Sequence, residues 1–301
     1  MAIGCRCVGL LAALALGLVS ASAADIKLDS GGVYNFNTAR LEGKIEKGDY
    51  EKLLSIARQI GADFNPHFKA ILHLYSPGGD VTEAMRMGRL VRALRWTTTV
   101  PDTNGKKREY ADSSKVKKID PDNFMCASAC FFIFVAGAQR STKQYGYVAP
   151  LILGIHRPYL SDADLKSISS TDAMASANST RTVVESYLKE MSVPAKYADL
   201  MFSVPKDQIQ WLNPSDVNAD LVGFIPELKD WIDARCNKFT NIEKALRETL
   251  ESRIKSAGSL SQEDSDMLDM IHDREIKQFD CERGLMSELN QQAFKDVFKP
   301  K

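Results

Sequence analysis

The chain has no surplus of charge of either sign: 39 Lys and Arg stand against 39 Asp and Glu. A general nucleic-acid binder needs a basic excess to hold phosphates, so that class is excluded. Histidine is scarce, with four in 301 residues. No His or second Cys pair sits at zinc-ligand spacing, so no metal and no other cofactor is expected. Internal repeats and low-complexity tracts are missing, which excludes solenoids, collagen-like chains and wholesale disorder. Long apolar runs are missing too. The longest, Val8 to Val19, has about twelve residues, where a bilayer span needs about twenty. What is present is an ordinary globular mixture, 44% hydrophobic and 26% charged, enough for the core of one large domain or two.

The short apolar run has a meaning of its own. Arg6 precedes it and Ala21-Ser22-Ala23 follows, the pattern of a secretory signal peptide with an A-x-A cleavage site. Residues 1–23 are therefore expected to be removed near Ala23 and the protein to be exported, periplasmic or secreted. An N-terminal membrane anchor is the competing reading. Cys5 and Cys7 leave with the leader, and Cys126, Cys130, Cys236 and Cys281 remain. An even count in an oxidising compartment favours disulfides over catalytic thiols. Four cysteines allow three pairings, and the count does not choose among them.

Along residues 33–100, hydrophobic periodicity switches repeatedly between two and 3.6. Val33-Tyr34-Asn35-Phe36 alternates, Asp49 to Ile60 has helical spacing, and Ala70 to Tyr75 is β-rich. The breaker Ser76-Pro77-Gly78-Gly79-Asp80 leads into a helix with Val81, Ala84, Met85, Gly88, Val91 and Leu94 on one face. Trp96 to Val100 forms a further strand. Alternating strands and helices predict an α/β fold around a largely parallel sheet. A polar, Lys-rich insert over 101–123 reads as a solvated loop, with a lid or partner contact as the rival reading. Beyond it come the apolar run Phe131 to Gly137, a strand from Leu151 delivering His156, helices near 172–191, 195–202 and 214–219, and a strand at 221–225. From Pro226 the chain becomes charged and helical. Helices over 240–255 and from Ser261 to Cys281 predict a hairpin.

Acyl-transfer chemistry requires a nucleophile, a base, an orienting acid and donors for an oxyanion. Ser128 lies where an extended segment turns into an apolar helix, with the Ala129 N–H beside it at the helix N-terminus. Such a serine ordinarily just caps the helix. His156 follows a buried-looking strand, where histidines are more often structural. Gly78-Gly79 admits close backbone approach, yet a Gly pair after a strand is usually a turn.

Taken in order, these residues resemble the Clp-type serine peptidase branch of the Clp/crotonase superfamily. The resemblance covers about residues 33–225. It rests on Leu74-Tyr75-Ser76-Pro77-Gly78-Gly79, on Ala127-Ser128-Ala129 with Gly137 and Arg140, and on Ile155-His156-Arg157-Pro158. It implies a ββα spiral fold over 24–225; the C-terminal helical extension over 226–301 is foreign to the housekeeping peptidase. The resemblance makes Ser128 the nucleophile, His156 the general base, and the Gly78-Gly79 turn with Ala129 the oxyanion hole. An Asp is expected about fifty residues beyond the histidine. Asp207 lies 51 residues on, with Asp199 and Asp216 as competitors. Cys-Ala-Ser-Ala-Cys departs from the Gly- or Met-bearing context of the housekeeping peptidase, and a Ser–Lys dyad is the nearest variant mechanism. The expected activity is an ATP-independent peptidase on peptide or protein substrates, since the leader argues against an ATPase partner. A non-catalytic peptide-binding module is the alternative, and an acyl-CoA crotonase shares the fold but needs a cytosolic cofactor. Family members commonly form rings, so homo-oligomers are an expectation that nothing in the sequence fixes.

The hairpin geometry returns Cys281 to Cys236, which predicts a disulfide there. Cys126 and Cys130 then flank Ser128, either bonded to each other or as two buried thiols.

Overall fold

The structure is a computed structural model and describes residues 23–29, 37–101, 121–141, 152–158, 170–205, 207–257 and 259–299. Residues 1–22 of the expected leader, the strand expected at 33–36 and most of the polar insert lie outside the described residues. The chain is mixed α/β. A six-stranded sheet runs β1 (Asp25–Leu28), β2 (Thr38–Glu42), β3 (Ile71–Tyr75), β4 (Thr97–Thr99), β6 (Gln139–Ser141), β9 (Gly223–Phe224) in spatial order. Its four central strands are parallel and the two outer pairings antiparallel. Alternation does the sorting: Ala39, Leu41, Leu72 and Leu74 turn into the core and are fully buried.

The parallel strands are linked by α1 (Asp49–Ala62), α2 (Val81–Ala93) and α3 (Ala129–Ala136), as parallel pairing requires crossovers. Helix α3 is apolar all round, and each of its residues is at most 1% exposed; a helix without a polar face has to be central. A second sheet of three strands, β5 (Cys126–Ala127), β7 (Leu153–Ile155) and β8 (Gln210–Trp211), carries the residues of interest. It joins the first where Ser76, just past β3, bridges to Cys126. Helices α4 (Ser170–Glu190), α5 (Lys196–Ser203) and α6 (Pro214–Asp220) follow the expected segments. No helix among the described residues is long and apolar enough to cross a membrane.

The C-terminal region differs from its expectation in one respect. After α7 (Pro226–Arg235) and α8 (Asn241–Ala257), the last helix α9 runs from Gln262 to Val297, well past Cys281. Its first half forms the hairpin with α8 around Phe239, Leu250 and Ile271. Its second half docks on the main domain, with Phe294 joining the principal core beside Trp96. Asn290, fully buried, accepts from the Ala70 N–H at 2.9 Å and donates to the carbonyls of Leu94 and Arg95 at 2.9 and 2.8 Å. Arg95 has φ 55°, so this one amide satisfies a left-handed helix exit as well as the start of β3. Asn290→Ala leaves two buried backbone groups and one partly buried carbonyl without this partner. It is expected to lower stability by about 3–5 kcal/mol, read from urea unfolding.

The expected disulfide is formed, and the alternative left open at Cys126 and Cys130 is resolved as a bond. Cys236 and Cys281 are joined with Cα atoms 5.5 Å apart, closing the base of the hairpin. Cys126 and Cys130 are also joined, at a Cα separation of 5.3 Å. The second bond does not span one helical turn: Cys126 is on β5 and Cys130 in α3, with Ser128 at the bend between them.

Candidate active site

The site is built where β3, β5 and β7 end together. Strands β5 and β7 are parallel, with Cys126 opposite Leu153 and Ala127 opposite Gly154. The Ser128 N–H continues the ladder by donating to the Gly154 carbonyl at 3.0 Å. The next residues on each chain, Ser128 and His156, therefore emerge at the same rim. That is the usual place for chemistry in parallel α/β sheets.

Ser128 has φ 55° and ψ −121°, a conformation costing a non-glycine residue roughly 1–3 kcal/mol. It turns the chain sharply from β5 into α3. Its side chain makes no capping hydrogen bond to that helix, so the ordinary role for a serine at this position is not the one it plays. The side chain is half-buried and lines a cleft of about 600 Å³ together with Gly78, Gly79 and His156.

The Gly78-Gly79 turn is pressed between two backbones. Gly78 has φ 106° and packs on the serine bend: a Cβ there would lie 2.5 Å from Ser128 Cβ and 3.0 Å from the Ala129 nitrogen. The Gly78 N–H donates to Ser76 Oγ at 3.1 Å, so it is already engaged. The N–H groups of Gly79 and Ala129 enter none of the hydrogen bonds among the described residues. Of the three oxyanion-hole residues expected from the sequence, these two retain open donors. On its other side the turn is laced to residues 44–47, which the sequence reading did not single out. Ile45 donates to the Gly78 carbonyl at 2.8 Å and accepts from the Asp80 N–H at 2.9 Å. Lys44, Glu46 and Lys47 form the polar wall of the cleft. Gly43 to Lys47 has no apolar period, so only the pairing reveals this segment.

His156 is half-buried at the end of β7. Its Nδ1 lies 2.9 Å from the carbonyl oxygen of its neighbour Arg157. A carbonyl only accepts, so in this bond Nδ1 carries the proton, and in the neutral imidazole Nε2 then holds the lone pair. Arg157 is itself tied down, its Nε donating to the Phe202 carbonyl at 3.0 Å at the end of α5.

The three candidate aspartates are elsewhere. Asp207 is exposed, and no hydrogen bond or ion pair among the described residues joins it to His156. Asp199 pairs with Arg181 at 2.5 Å. Asp199 and Asp216 both line a different cavity, of about 800 Å³, with Tyr197 and Trp211. Arg140, part of the motif, is a structural clasp remote from the cleft. It donates to the carbonyls of Met191 and Leu221, and burial pushes its guanidinium down to about 9.

Compared with protein-family models and with curated proteins, the sequence finds no match.

Proposed function

We propose that the protein is an exported, ATP-independent serine hydrolase of the Clp/crotonase type, cleaving peptides in the cleft of Ser128 and His156. One observation carries the reading. Ser128 is held in a strained bend with its hydroxyl not spent on the helix it precedes, in one cleft with a histidine whose tautomer suits a general base. Strain of this kind persists where the surroundings over-determine it, and it clusters at active sites. The leader pattern and the two disulfides support export. The parallel β–α crossovers over residues 38–141 support the fold family.

In this reading, His156 Nε2 takes the proton from Ser128 Oγ as the oxygen attacks a peptide carbonyl. The Gly79 and Ala129 N–H groups hold the developing oxyanion, aided by the N-terminus of α3. The imidazolium then protonates the leaving amine, and water resolves the acyl-enzyme by the reverse sequence. The Arg157 carbonyl orients the imidazole by accepting from Nδ1. That bond fixes the tautomer with Nε2 toward the serine's proton.

A fluorophosphonate probe followed by intact mass and peptide mapping tests the assignment. The mature protein is expected to be labelled once, at Ser128, with no labelling in Ser128→Ala. His156→Ala should slow labelling by about 10²-fold or more, whereas Asp207→Asn should change it by less than about tenfold, because that carboxylate does not touch the imidazole. An unlabelled wild-type protein would assign the cleft to peptide binding without catalysis.

A further inference from the structure

We infer that removal of the leader after Ala23 creates a buried ion pair between the new Ala24 ammonium and Asp49, and that this pair braces the wall of the Ser128 cleft. Ala24 is 2% exposed and Asp49 is wholly buried. The Ala24 nitrogen lies 3.3 Å from Asp49 Oδ2. The same oxygen accepts from the Glu46 N–H at 2.8 Å. Lys52 donates to Asp49 Oδ1 at 2.8 Å and to the Ala24 carbonyl at 3.2 Å. A buried carboxylate needs a counter-charge close by. Among the described residues Lys52 is the cation that reaches it, and the Lys52 side chain is 46% exposed, where solvent screens its charge.

In the unprocessed chain the Ala24 nitrogen is a neutral amide, and the backbone continues through Ala23 alongside Lys44. Hydrolysis of the Ala23–Ala24 bond by a signal peptidase adds one water. The new carboxylate departs on Ala23 with the leader. The new amine stays on Ala24 and takes up a proton, since a free α-amine titrates near 7.7–8.0 and a neighbouring carboxylate favours its charged form. A full positive charge then stands against the buried acid. The charged groups around it are Asp49 and Lys52 on α1, with Lys44 and Glu46 on the adjoining segment. From there the bonding runs directly to the catalytic turn. Asp49 holds Glu46, and its neighbour Ile45 holds Gly78 and Asp80 on either side of Gly79. Cleavage thus ties the new chain end into the wall that positions a proposed oxyanion donor.

The inference rests on the leader reading but not on Ser128 being catalytic, and its test separates the two. Chains beginning at Ala24 and at Ala23 are released from a removable N-terminal fusion, each with and without Asp49→Asn. The α-amine is acylated with an N-hydroxysuccinimide acetate and its rate followed by peptide mass spectrometry. In the native Ala24 chain, acylation should be at least roughly tenfold slower than in the urea-unfolded chain, because the amine is reached only by local opening. In the Ala23 chain the amine should react at nearly the unfolded rate. The Ala24 chain should melt about 3–6 °C higher than the Ala23 chain, and Asp49→Asn should erase that difference. An α-amine equally reactive in native and unfolded Ala24 chains would overturn the pair, as would a melting difference that survives Asp49→Asn. The intact mass of the exported protein tests the leader separately: a mature chain starting at Ala24 supports the maturation step, and any other start overturns it.

Discussion

Gly79→Ala is expected to unfold the cleft wall and to cost on the order of 4–6 kcal/mol, a large share of the 5–15 kcal/mol that holds a typical domain together. Two effects add. Gly79 has φ 141°, where a side chain is strained by about 1–3 kcal/mol. Its Cβ would also lie 2.0 Å from the Ile45 carbonyl oxygen and 2.8 Å from the Ile45 nitrogen. Both are backbone atoms and have no rotamer by which to escape. Relief means separating residues 44–47 from the turn and losing the Ile45–Gly78 and Asp80–Ile45 hydrogen bonds, each worth about 1 kcal/mol. Gly48 supplies the control, because it has φ 102° with nothing near its would-be Cβ. Gly48→Ala should cost only about 1–2 kcal/mol from backbone conformation alone. Urea unfolding of the two variants checks the contrast. Equal costs would mean that conformation, not the clash, sets the requirement for glycine.

Removing the Cys126–Cys130 bond should disturb the Ser128 bend far more than the fold. With a sequence separation of 4, its closed loop is short, and loop-closure entropy gives about 2 kcal/mol. Locally it joins the strand and the helix on either side of Ser128, keeping the bend at φ 55°. Once released, a residue strained by about 1–3 kcal/mol relaxes toward a commoner conformation, and probe labelling of Ser128 should fall by roughly 10–100-fold in the double variant Cys126→Ala/Cys130→Ala. The other disulfide predicts the opposite pattern. Cys236 and Cys281 are 45 residues apart, so their removal should cost about 4 kcal/mol while labelling stays unchanged. Thermal unfolding and labelling rates on the two double variants read both halves. Equal labelling in the two would show that the Ser128 bend is held by the Gly154 ladder and the packing of α3 alone.

Much of this architecture was legible because it is written in local patterns. The alternation from Ile71 to Tyr75, the breaker at Pro77-Gly78-Gly79 and the one-sided apolar face after Val81 specify strand, turn and helix without reference to the rest of the chain. The Cys236–Cys281 bond followed from hairpin geometry, which is also local. The last helix runs longer than its local pattern indicates, since its continuation past Cys281 depends on Asn290 and Phe294 meeting β3, the end of α2 and the main core, and on Met286 packing with Ala138 and Ile232. The partners of Asn290 lie far away along the chain, Leu94 being separated from it by 196 residues.

The candidate site divides along the same line. By itself the sequence singled out the candidate residues: Ser128 between two cysteines, His156 after a strand, and a Gly pair that tolerates close approach. Residue types and short spacings suffice for that. Only the tertiary structure decided which of them meet. The register of β5 on β7 brings Ser128 and His156 to one rim, whereas Asp207, placed by its distance along the chain, ends on an exposed turn. Separation in sequence is a weak guide where loops intervene, because closing a loop depends only slowly on its length. The wall from Lys44 to Lys47 and the Ala24–Asp49 contact carry no pattern at all. They exist because backbone hydrogen bonds between distant segments have to be satisfied, and which segments those are is settled only when the sheets assemble.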